Sequence, residues 1–354
     1  LTHLARIELS NNGIRLNSDS VDNSAGVNMS DYEVNLKILL QQMLRMGYIN
    51  TKQERDALLI SSTNEISELV LENNRGQHRL ISMDSIRSNL NFRLFRKLIS
   101  HLEEIGMNKR IEKIPSWSEL NQLENADMPL PRPVLCVLMA YSKMEVFDAL
   151  SSTEILLEDE LTKYYLEYFP KSVRHYLEEN IIDHPLKKEI ISTVLTNRIT
   201  NHAGSTFISR MADGTEHSIP DVVRTYLVIE SSLEAEKIRE NLYSLNAITE
   251  KERYEVLIEL EDVIKTLVRN LLIGQAFISG FGKVEQYKVL LKELLKYQSI
   301  SKNNVDSDLV LSENVKTKEY KKNCEEESSS LLFNIRASLK HLRIAPYVLH
   351  LCLT

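Results

Sequence analysis

The sequence predicts a mainly α-helical chain with one short strand-loop-helix segment at its N-terminal end. Glycine and proline, which mark turns, number only 10 and 8 among 354 residues, and their scarcity favours long helices over a strand-and-turn architecture. Apolar residues recur at helical spacing along most of the chain, whereas no repeat period that would indicate a solenoid is evident. A chain of this length has room for one large domain or a few ordinary ones.

The N-terminal segment contains the predicted strand. Residues 11–13 (Asn-Asn-Gly) form a turn sequence, and residues 14–17 (Ile-Arg-Leu-Asn) are the candidate strand that follows it. A small, polar loop is expected over residues 18–30. The strand is therefore expected to lead through a loop of small residues into the first long helix.

That helix is expected to begin at Ser30 and to end near Gly47. Ser30 and Glu33 have the spacing of a capping box, in which the Ser30 hydroxyl accepts from the Glu33 N–H and the Glu33 carboxylate accepts from the Ser30 N–H. Glycine is the common residue just past a helix C-terminus. Apolar residues surround the helix on nearly all sides, which indicates that it is well buried.

Helical spacing then continues to about residue 300. Gly76 and Gly106 are expected to close the first two of these helices. Residues 204–206 (Gly-Ser-Thr) are interpreted as a plain kink in a long one, with a break near a subunit or domain contact as the alternative. Helices that begin near Pro115 and Pro220 are also expected. The other predicted helices span residues 51–74, 85–105, 132–150, 158–168, 171–180, 184–211, 247–272 and 284–297.

Composition divides the chain into four predicted segments. Residues 1–47 hold the strand and the first helix, and residues 48–300 form a helical domain. Residues 301–330 are charged and polar with few apolar residues, which indicates a linker or mobile loop. Residues 331–354 are apolar enough to dock back as a C-terminal helical tail.

Charge and cysteine content exclude several classes of function. The net charge of −7 leaves no positive field for a phosphate backbone, so nucleic acid is not an expected partner. No stretch reaches the roughly 18 apolar residues of a membrane span, and three distant cysteines favour a cytoplasmic protein without disulfides. The nine histidines show no paired spacing that would indicate a metal site.

Residues 22–27 carry the candidate site. A loop of small residues before a capped helix lets backbone N–H groups approach an anion or a cofactor, although a tight turn into a helix is the alternative interpretation. The string Asp-Asn-Ser-Ala-Gly-Val resembles a motif of the large bacterial NAD-specific glutamate dehydrogenases. Similarity to the motif of glutamate dehydrogenases in general covers Asn23, Gly26, Val27, Ser30 and Glu33, and departures from it fall at Ala25, Asp31 and Val34.

Further segments resemble the C-terminal region of the same large enzymes and follow in the same order. Residues 132–143 are similar to their Arg-Pro-Glu-Leu-Ala-Val-Leu-Leu-Ala-Tyr-Ala-Lys segment. The other similar segments are residues 168–171, 188–197, 204–207 and 221–226. Together the resemblance covers most of residues 6–270.

The resemblance implies roles for three residues. In the family, the Asn of the motif contacts the nicotinamide end of NAD, a role that maps to Asn23, whose amide both donates and accepts. The Val and the Ser of the motif line the glutamate pocket, and these roles map to Val27 and Ser30. A Ser hydroxyl at a helix N-terminus suits a substrate carboxylate, a role that competes with helix capping.

The resemblance also implies that the chain is the distal portion of the enzyme, the end of a Rossmann-type catalytic domain followed by a helical C-terminal region. The family's catalytic lysine, its catalytic aspartate and its Gly-rich NAD turn lie upstream of the motif, and no segment here resembles them. No catalytic residue is expected in this chain, which should be inactive alone. The complete enzyme, expected to be a homo-oligomer, would convert L-glutamate to 2-oxoglutarate and ammonia. The alternative is a helical scaffold or interaction module, a split or decayed remnant of the enzyme.

Overall fold

The described part of the structure is mainly helical. A computed structural model describes residues 1–179, 184–213, 215, 217–273 and 289. No strand occurs among these residues, so the prediction of a mainly α fold is confirmed. Outside them lie the predicted helix 284–297 (apart from residue 289), the polar segment 301–330 and the tail 331–354.

Two compact units are present, the first Leu1–Arg210 and the second beginning at Met211. The helices of the first unit are α1 (His3–Asn11), α2 (Asp19–Asp22), α3 (Ser24–Met46), α4 (Lys52–Ser61), α5 (Thr63–Leu90), α6 (Phe92–Glu104), α7 (Trp117–Asn125), α8 (Arg132–Ser151), α9 (Thr162–Tyr168), α10 (Lys171–Glu179) and α11 (Lys187–Ala203). Short 3₁₀ turns precede α9 at Ile155–Leu157 and Asp159–Leu161. The unit boundary falls within α12 (Phe207–Ala212), and the second unit continues with α13 (Ile219–Ser232), α14 (Ala235–Ser244) and α15 (Glu250–Ile273).

The α8 helix forms much of the core of the first unit. It packs against α1, α5, α6 and α11, and its apolar residues point in every direction. Val134, Leu135 and Leu138 are almost completely buried. Pro133 lies in the first turn, where a missing N–H costs nothing. The predicted helix 132–150 is therefore confirmed, and none of the described helices is long and apolar enough to cross a membrane.

The α3 helix begins earlier than predicted, and the predicted capping box is wrong. The helix starts at Ser24, so Ser30 lies in its second turn and donates its hydroxyl to the Gly26 carbonyl at 3.3 Å. Glu33 forms an ion pair with Lys37 one turn later instead of turning back to Ser30. The small residues that suggested a loop thus form the first helical turn.

The predicted strand at residues 14–17 is also wrong. These residues connect α1 to α2, and no strand is available among the described residues to pair with them. A lone strand is not stable, because its N–H and C=O groups need a neighbouring strand. Here a side chain replaces that neighbour, since Arg6 on α1 donates to the Asn17 carbonyl at 2.8 Å.

Glycines at helix ends and crossings account for most of the other outcomes. Gly47 ends α3 with a φ of 80°, and Gly106 follows α6 with a φ of 115°, as predicted. Gly76 does not end a helix, because α5 continues through it to Leu90. A Cβ at Gly76 would meet Asn201 Nδ2 at 2.8 Å, so this glycine allows α5 to pass close to α11.

Breaks between helices were only partly predicted. Ser62 separates α4 from α5, so the single predicted helix 51–74 is wrong. Gly204 separates α11 from α12, so residues 204–206 form a break and not a plain kink, and the continuous helix 184–211 is wrong. Asn91, with an extended φ of −150°, separates α5 from α6 inside the predicted helix 85–105. Glu234, with a φ of 51°, precedes the unpredicted α14, and no turn residue there marks the break.

Candidate functional site

The three residues assigned by the motif lie together on one exposed face of α3. Asn23 precedes the helix, and Val27 and Ser30 follow at a spacing of four and then three residues, which places side chains on one side of a helix. Val27 is 76% exposed, and Asn23 and Ser30 are exposed as well. Val34, one turn further on, is 55% exposed. This face is available to a ligand or to another polypeptide segment.

Gly26 keeps the beginning of this face open. A Cβ built on Gly26 would lie 3.5 Å from Asn23 Oδ1, which shows that the Asn23 amide leans over the first turn of α3. A methyl group would fit there at ordinary contact distance, whereas a longer side chain would occupy the space in front of the amide. The glycine thus leaves the Asn23 amide accessible.

The α5 helix fixes the backbone on both sides of Asn23. Asn74 Nδ2 donates to the Val21 carbonyl at 3.0 Å and to Ser24 Oγ at 2.8 Å. Gln77 Nε2, one turn along α5, lies 3.5 Å from the same hydroxyl. Two neutral amides therefore hold the start of α3, while the Asn23 side chain itself stays exposed.

A buried asparagine connects the motif to α5 and α8. The Asn17 side chain accepts from Arg132 Nε at 2.9 Å and donates to Asp22 Oδ1 at 3.2 Å. Its Nδ2 also lies 3.0 Å from His78 Nδ1. Burial lowers the pKa of His78, opposed by the Asp22 charge, so the ring is neutral at neutral pH and its Nδ1 can accept from Asn17.

Arg6 balances the two carboxylates next to the motif. Its guanidinium donates to Asp22 Oδ2 at 3.0 Å and also to Asp19. Both carboxylates are largely exposed, so the pairs stabilise the fold only weakly. Their main effect is on position, since α1 is tied to α2 immediately before Asn23.

A second polar cluster supports α3 one turn beyond Ser30. The Tyr168 hydroxyl donates to Asp31 Oδ2 at 2.8 Å and accepts from Asn35 Nδ2 at 2.8 Å. The Tyr32 ring stacks on Tyr168 with 4.4 Å between centroids. Burial raises the pKa of Tyr32 to about 12 and also raises the pKa of Tyr168, so both hydroxyls stay protonated at neutral pH. These groups position α3 and are not acids or bases for catalysis.

The segment 204–207 forms a tight buried junction with α5. The Ser205 N–H donates to Asp84 Oδ2 at 3.0 Å, and Arg87 pairs with the other oxygen of Asp84 at 3.0 Å. Gly204 has a φ of 92°, and a Cβ there would lie 2.4 Å from Arg87 Nη1. Ser142 on α8 donates to the Ser205 carbonyl at 3.1 Å. The junction joins three helices, and this packing explains the glycine.

The described part of the α3 face holds exposed polar and apolar side chains and no reactive pair. A described lysine with a depressed pKa is Lys143, which lies on α8, away from this face, and donates to Asn197 Oδ1 on α11 at 2.8 Å. Burial lowers the pKa of Lys143 to about 7. Among the described residues, no cluster of three or more His, Cys, Asp or Glu side chains could hold a metal ion.

Several supporting residues were not singled out from the sequence. Asn74 and His78 lie one turn apart on α5, and polar residues at this spacing in a long helix were the available signal. Arg6 and Asn17 gave no local signal, because their partners lie on other elements. For Arg132, the sequence indicated only that it belongs to the segment 132–143 and gave no sign of its contact with Asn17.

Comparison with known proteins identifies related sequences over both ends of the described chain. A family model described as the C-terminal part of glutamate dehydrogenase matches residues 127–307, and one described as the catalytic domain of bacterial NAD-glutamate dehydrogenase matches residues 1–84. The NAD-specific glutamate dehydrogenase of Halomonas elongata is 28% identical over 296 residues, which are 83% of this chain and 18% of that protein.

Two further relatives carry the same name. The NAD-specific glutamate dehydrogenases of Pseudomonas aeruginosa and Mycobacterium tuberculosis are each 34% identical, over 230 and 232 residues, and each match covers 65% of this chain. The matched part is 14% of either relative. The chain therefore spans less than a fifth of the length of the curated relatives that it matches.

Proposed function

Because the chain belongs to the bacterial NAD-specific glutamate dehydrogenase family, we propose that it supplies one wall of the active site of such an enzyme, which oxidises L-glutamate to 2-oxoglutarate and ammonia. The observation that carries this proposal is the exposed stripe of Asn23, Val27 and Ser30 on α3. A face of two polar groups and a valine, held from behind by α5, suits a ligand with both polar and aliphatic parts.

NAD, when bound, accepts the hydride that leaves the amino acid. Asn23 would hold its nicotinamide end, because the asparagine amide can donate to and accept from the nicotinamide carboxamide. The residues present fit this role, since the amide is exposed and Gly26 leaves the space beside it free of a side chain. No other part of this face offers a cradle for the rest of the cofactor.

Val27 and Ser30 would contact the glutamate. Val27 would pack against the methylene groups of the substrate, and Ser30 would donate to its side-chain carboxylate. The Ser30 hydroxyl now donates to the Gly26 carbonyl. On binding, it would donate to the charged substrate carboxylate instead of this neutral carbonyl. That exchange favours the carboxylate, because hydrogen bonds to ionised acceptors are the stronger ones.

The remaining walls of the site belong, in this proposal, to other parts of the complete polypeptide. Nothing in this chain resembles the family's catalytic lysine, its catalytic aspartate or its Gly-rich turn, so the isolated chain is expected to be inactive. Residues 1–47 are proposed as the end of a Rossmann-type catalytic domain and residues 48–300 as the helical C-terminal domain. A homo-oligomer in the cytoplasm is part of the same proposal.

A chimera tests the proposal. The segment of the Pseudomonas aeruginosa relative that matches this chain is replaced by the chain, and glutamate-dependent NADH formation is measured. We expect activity in the chimera and none in the isolated chain. Val27→Asp should raise the KM for glutamate at least about tenfold, because it repels the substrate carboxylate. Asn23→Ala should raise the KM for NAD.

The control is Ile60→Asp, at a β-branched residue of α4 that is also 76% exposed. It should leave both KM values unchanged. Equal effects of Val27→Asp and Ile60→Asp, or NADH formation by the isolated chain above buffer, would contradict the proposal. A folded but inactive chimera would favour the alternative, a helical scaffold or interaction module.

A further inference from the structure

The first unit contains a cleft that is separate from the motif residues. It has a volume of about 630 Å³, within the usual range for small-molecule sites. Residues of α1, of the segment between α6 and α7, and of α7 form its walls. Its lining includes Leu4, Ile7, Lys109, Arg110, Lys113 and Ile114.

The rim of this cleft is positively charged. Lys109, Arg110 and Lys113 face one acidic residue, Glu119, whose carboxylate accepts from the Ser116 hydroxyl and N–H in a capping box. These hydrogen bonds lower the pKa of Glu119, so its carboxylate is ionised at neutral pH and is already engaged with Ser116. The rim therefore retains an excess of positive charge.

Two of the three cations have no carboxylate partner within the described part of the chain. Lys109 lies 3.8 Å from Glu103, whereas Arg110 and Lys113 are exposed and form no ion pair with any described residue. Exposed cations of this kind cost little to leave in water, and they attract an anion without first breaking an existing pair.

The floor of the cleft is apolar. Ile7 and Ile114 are 6% and 7% exposed, and Leu4 continues the same surface outward with 59% of its area exposed. Apolar contact area beside a positive rim suits a ligand whose charged group and hydrocarbon part lie at opposite ends.

The backbone at the rim of the cleft is strained at Lys113. Its φ is 55°, and it is one of the three non-glycine residues with positive φ in the described ranges. Lysine gains nothing from this left-handed conformation, unlike glycine or asparagine. The strain keeps Lys113 at the rim, and strain of this kind concentrates at binding sites.

We propose that this cleft binds a small amphipathic organic anion. Its carboxylate or phosphate group would lie at Arg110 and Lys113, and its hydrocarbon part would lie on Leu4, Ile7 and Ile114. This site would be separate from the glutamate and NAD contacts proposed for α3, and its test does not depend on enzyme activity.

The chain contains its own reporter for this site. Trp117 is the single tryptophan of the sequence, and the Lys109 ammonium lies 3.9 Å from the centroid of its ring. An anion bound at the rim would draw Lys109 from the indole face and change the fluorescence of Trp117. Fluorescence titration of the full 354-residue chain therefore reads binding directly.

The probes separate the two parts of the ligand. Hexanoate and hexyl phosphate carry charge and tail, hexanol carries only the tail, and inorganic phosphate carries only the charge. We expect saturable titrations with hexanoate or hexyl phosphate, and the tighter of the two identifies the head group. Hexanol and inorganic phosphate should bind at least about tenfold more weakly.

The variants test the rim. Arg110→Gln with Lys113→Asn removes two positive charges, and asparagine tolerates the left-handed backbone at position 113, so the fold should be kept. This double variant should bind hexanoate at least about tenfold more weakly. The matched control, Arg15→Gln with Lys52→Asn, removes the same charges from exposed positions outside the cleft and should bind normally.

Three results would overturn the proposal. They are the absence of saturable binding by either amphipathic anion, equal binding by hexanol, and an unchanged affinity in the rim variant. Circular dichroism of each variant tests whether the helices are intact, so that unfolding is excluded as the cause of a loss of binding.

Discussion

The polar groups around Arg239 in the second unit and those around the motif in the first unit are held in different ways. In the second unit, Arg239 donates to Glu230 at 2.5 Å and to Glu261 at 2.5 Å, and all three side chains are at most 2% exposed. The Tyr226 hydroxyl donates to Glu261 at 2.9 Å. In the first unit, amides such as Asn17 hold the motif, and the nearby carboxylates remain largely exposed.

This difference separates a structural network from the face proposed to bind a ligand. The Arg239, Glu230 and Glu261 charges are enclosed and pair with one another, so they join α13, α14 and α15. The backbone beside Asn23 is held by the neutral amide of Asn74, and Asn23, Val27 and Ser30 stay exposed.

The largest effect is expected when the enclosed network loses its cation. Arg239→Met leaves Glu230 and Glu261 without this guanidinium in a site that excludes water, and should lower the free energy of unfolding by about 3–5 kcal/mol. Urea unfolding followed by circular dichroism measures it. Lys237→Ala on the same helix, where the lysine side chain is 70% exposed, should change stability by less than about 0.5 kcal/mol.

Equal effects of the two substitutions would break the comparison. They would show that the Arg239 network contributes no more than an exposed pair, and that the second unit is held by its apolar contacts alone. The network would then need another explanation than structural support.

A smaller effect is expected at the buried pair of the first unit. Gly204→Ala places a methyl group 2.4 Å from Arg87 Nη1 at a φ of 92°, so it strains the backbone and displaces the Asp84–Arg87 pair. Gly13→Ala is the matched control, because Gly13 has a φ of 86° and nothing within 4 Å of its Cβ position. We expect a loss of about 1 kcal/mol at Gly13 and of about 2–4 kcal/mol at Gly204.

Trp117 lies in the first unit, and its fluorescence during urea unfolding measures this difference there. A loss at Gly204 no larger than at Gly13 would show that Arg87 moves aside easily. The junction between α5 and segment 204–207 would then rearrange at little energetic cost, contrary to what its short contacts indicate.

The sequence predicted features that depend on neighbouring residues. The apolar surface of α8, the end of α3 at Gly47 and the helix start near Pro220 all follow from local spacing and conformational preference. Gly76 was read as a helix end because the sequence does not show Asn201 of α11 across from it. A glycine in the sequence gives the same signal for a helix end as for a close helix crossing.

The same limit applies to the candidate site. The motif gave the position of Asn23, but the support by Asn74 crosses 50 or more residues of sequence, and local pattern carries no information about it. The predicted strand at 14–17 had a suitable pattern and no partner strand within the described ranges, so tertiary context decided against it. Contacts between distant elements are the part that a single sequence does not contain.

The smallest predicted effect concerns a cation of the first unit that has no carboxylate partner among the described residues. Lys143 donates to the neutral Asn197 amide at 2.8 Å, and burial lowers its pKa to about 7, against an ordinary value of about 10.4 in the unfolded chain. Between these two pKa values the unfolded chain binds the extra proton, so stability rises with pH through this window. Lys143→Met should therefore stabilise the chain at pH 7 by about 1–3 kcal/mol, a figure reduced by the lost hydrogen bond and by the part of Lys143 that still faces water.

The pH dependence makes this prediction specific to Lys143. The gain should be constant below pH 7, where both states carry the proton, and should fall as pH rises, approaching zero above about pH 10.4, where neither state carries it. Lys52→Met, at an exposed lysine, should change stability little at any pH. A Lys143→Met gain that does not depend on pH would mean that added apolar packing is its cause. A pH-dependent gain would show that Lys143 of the first unit is kept in place at a cost, whereas Arg239 of the second unit is buried between two carboxylates.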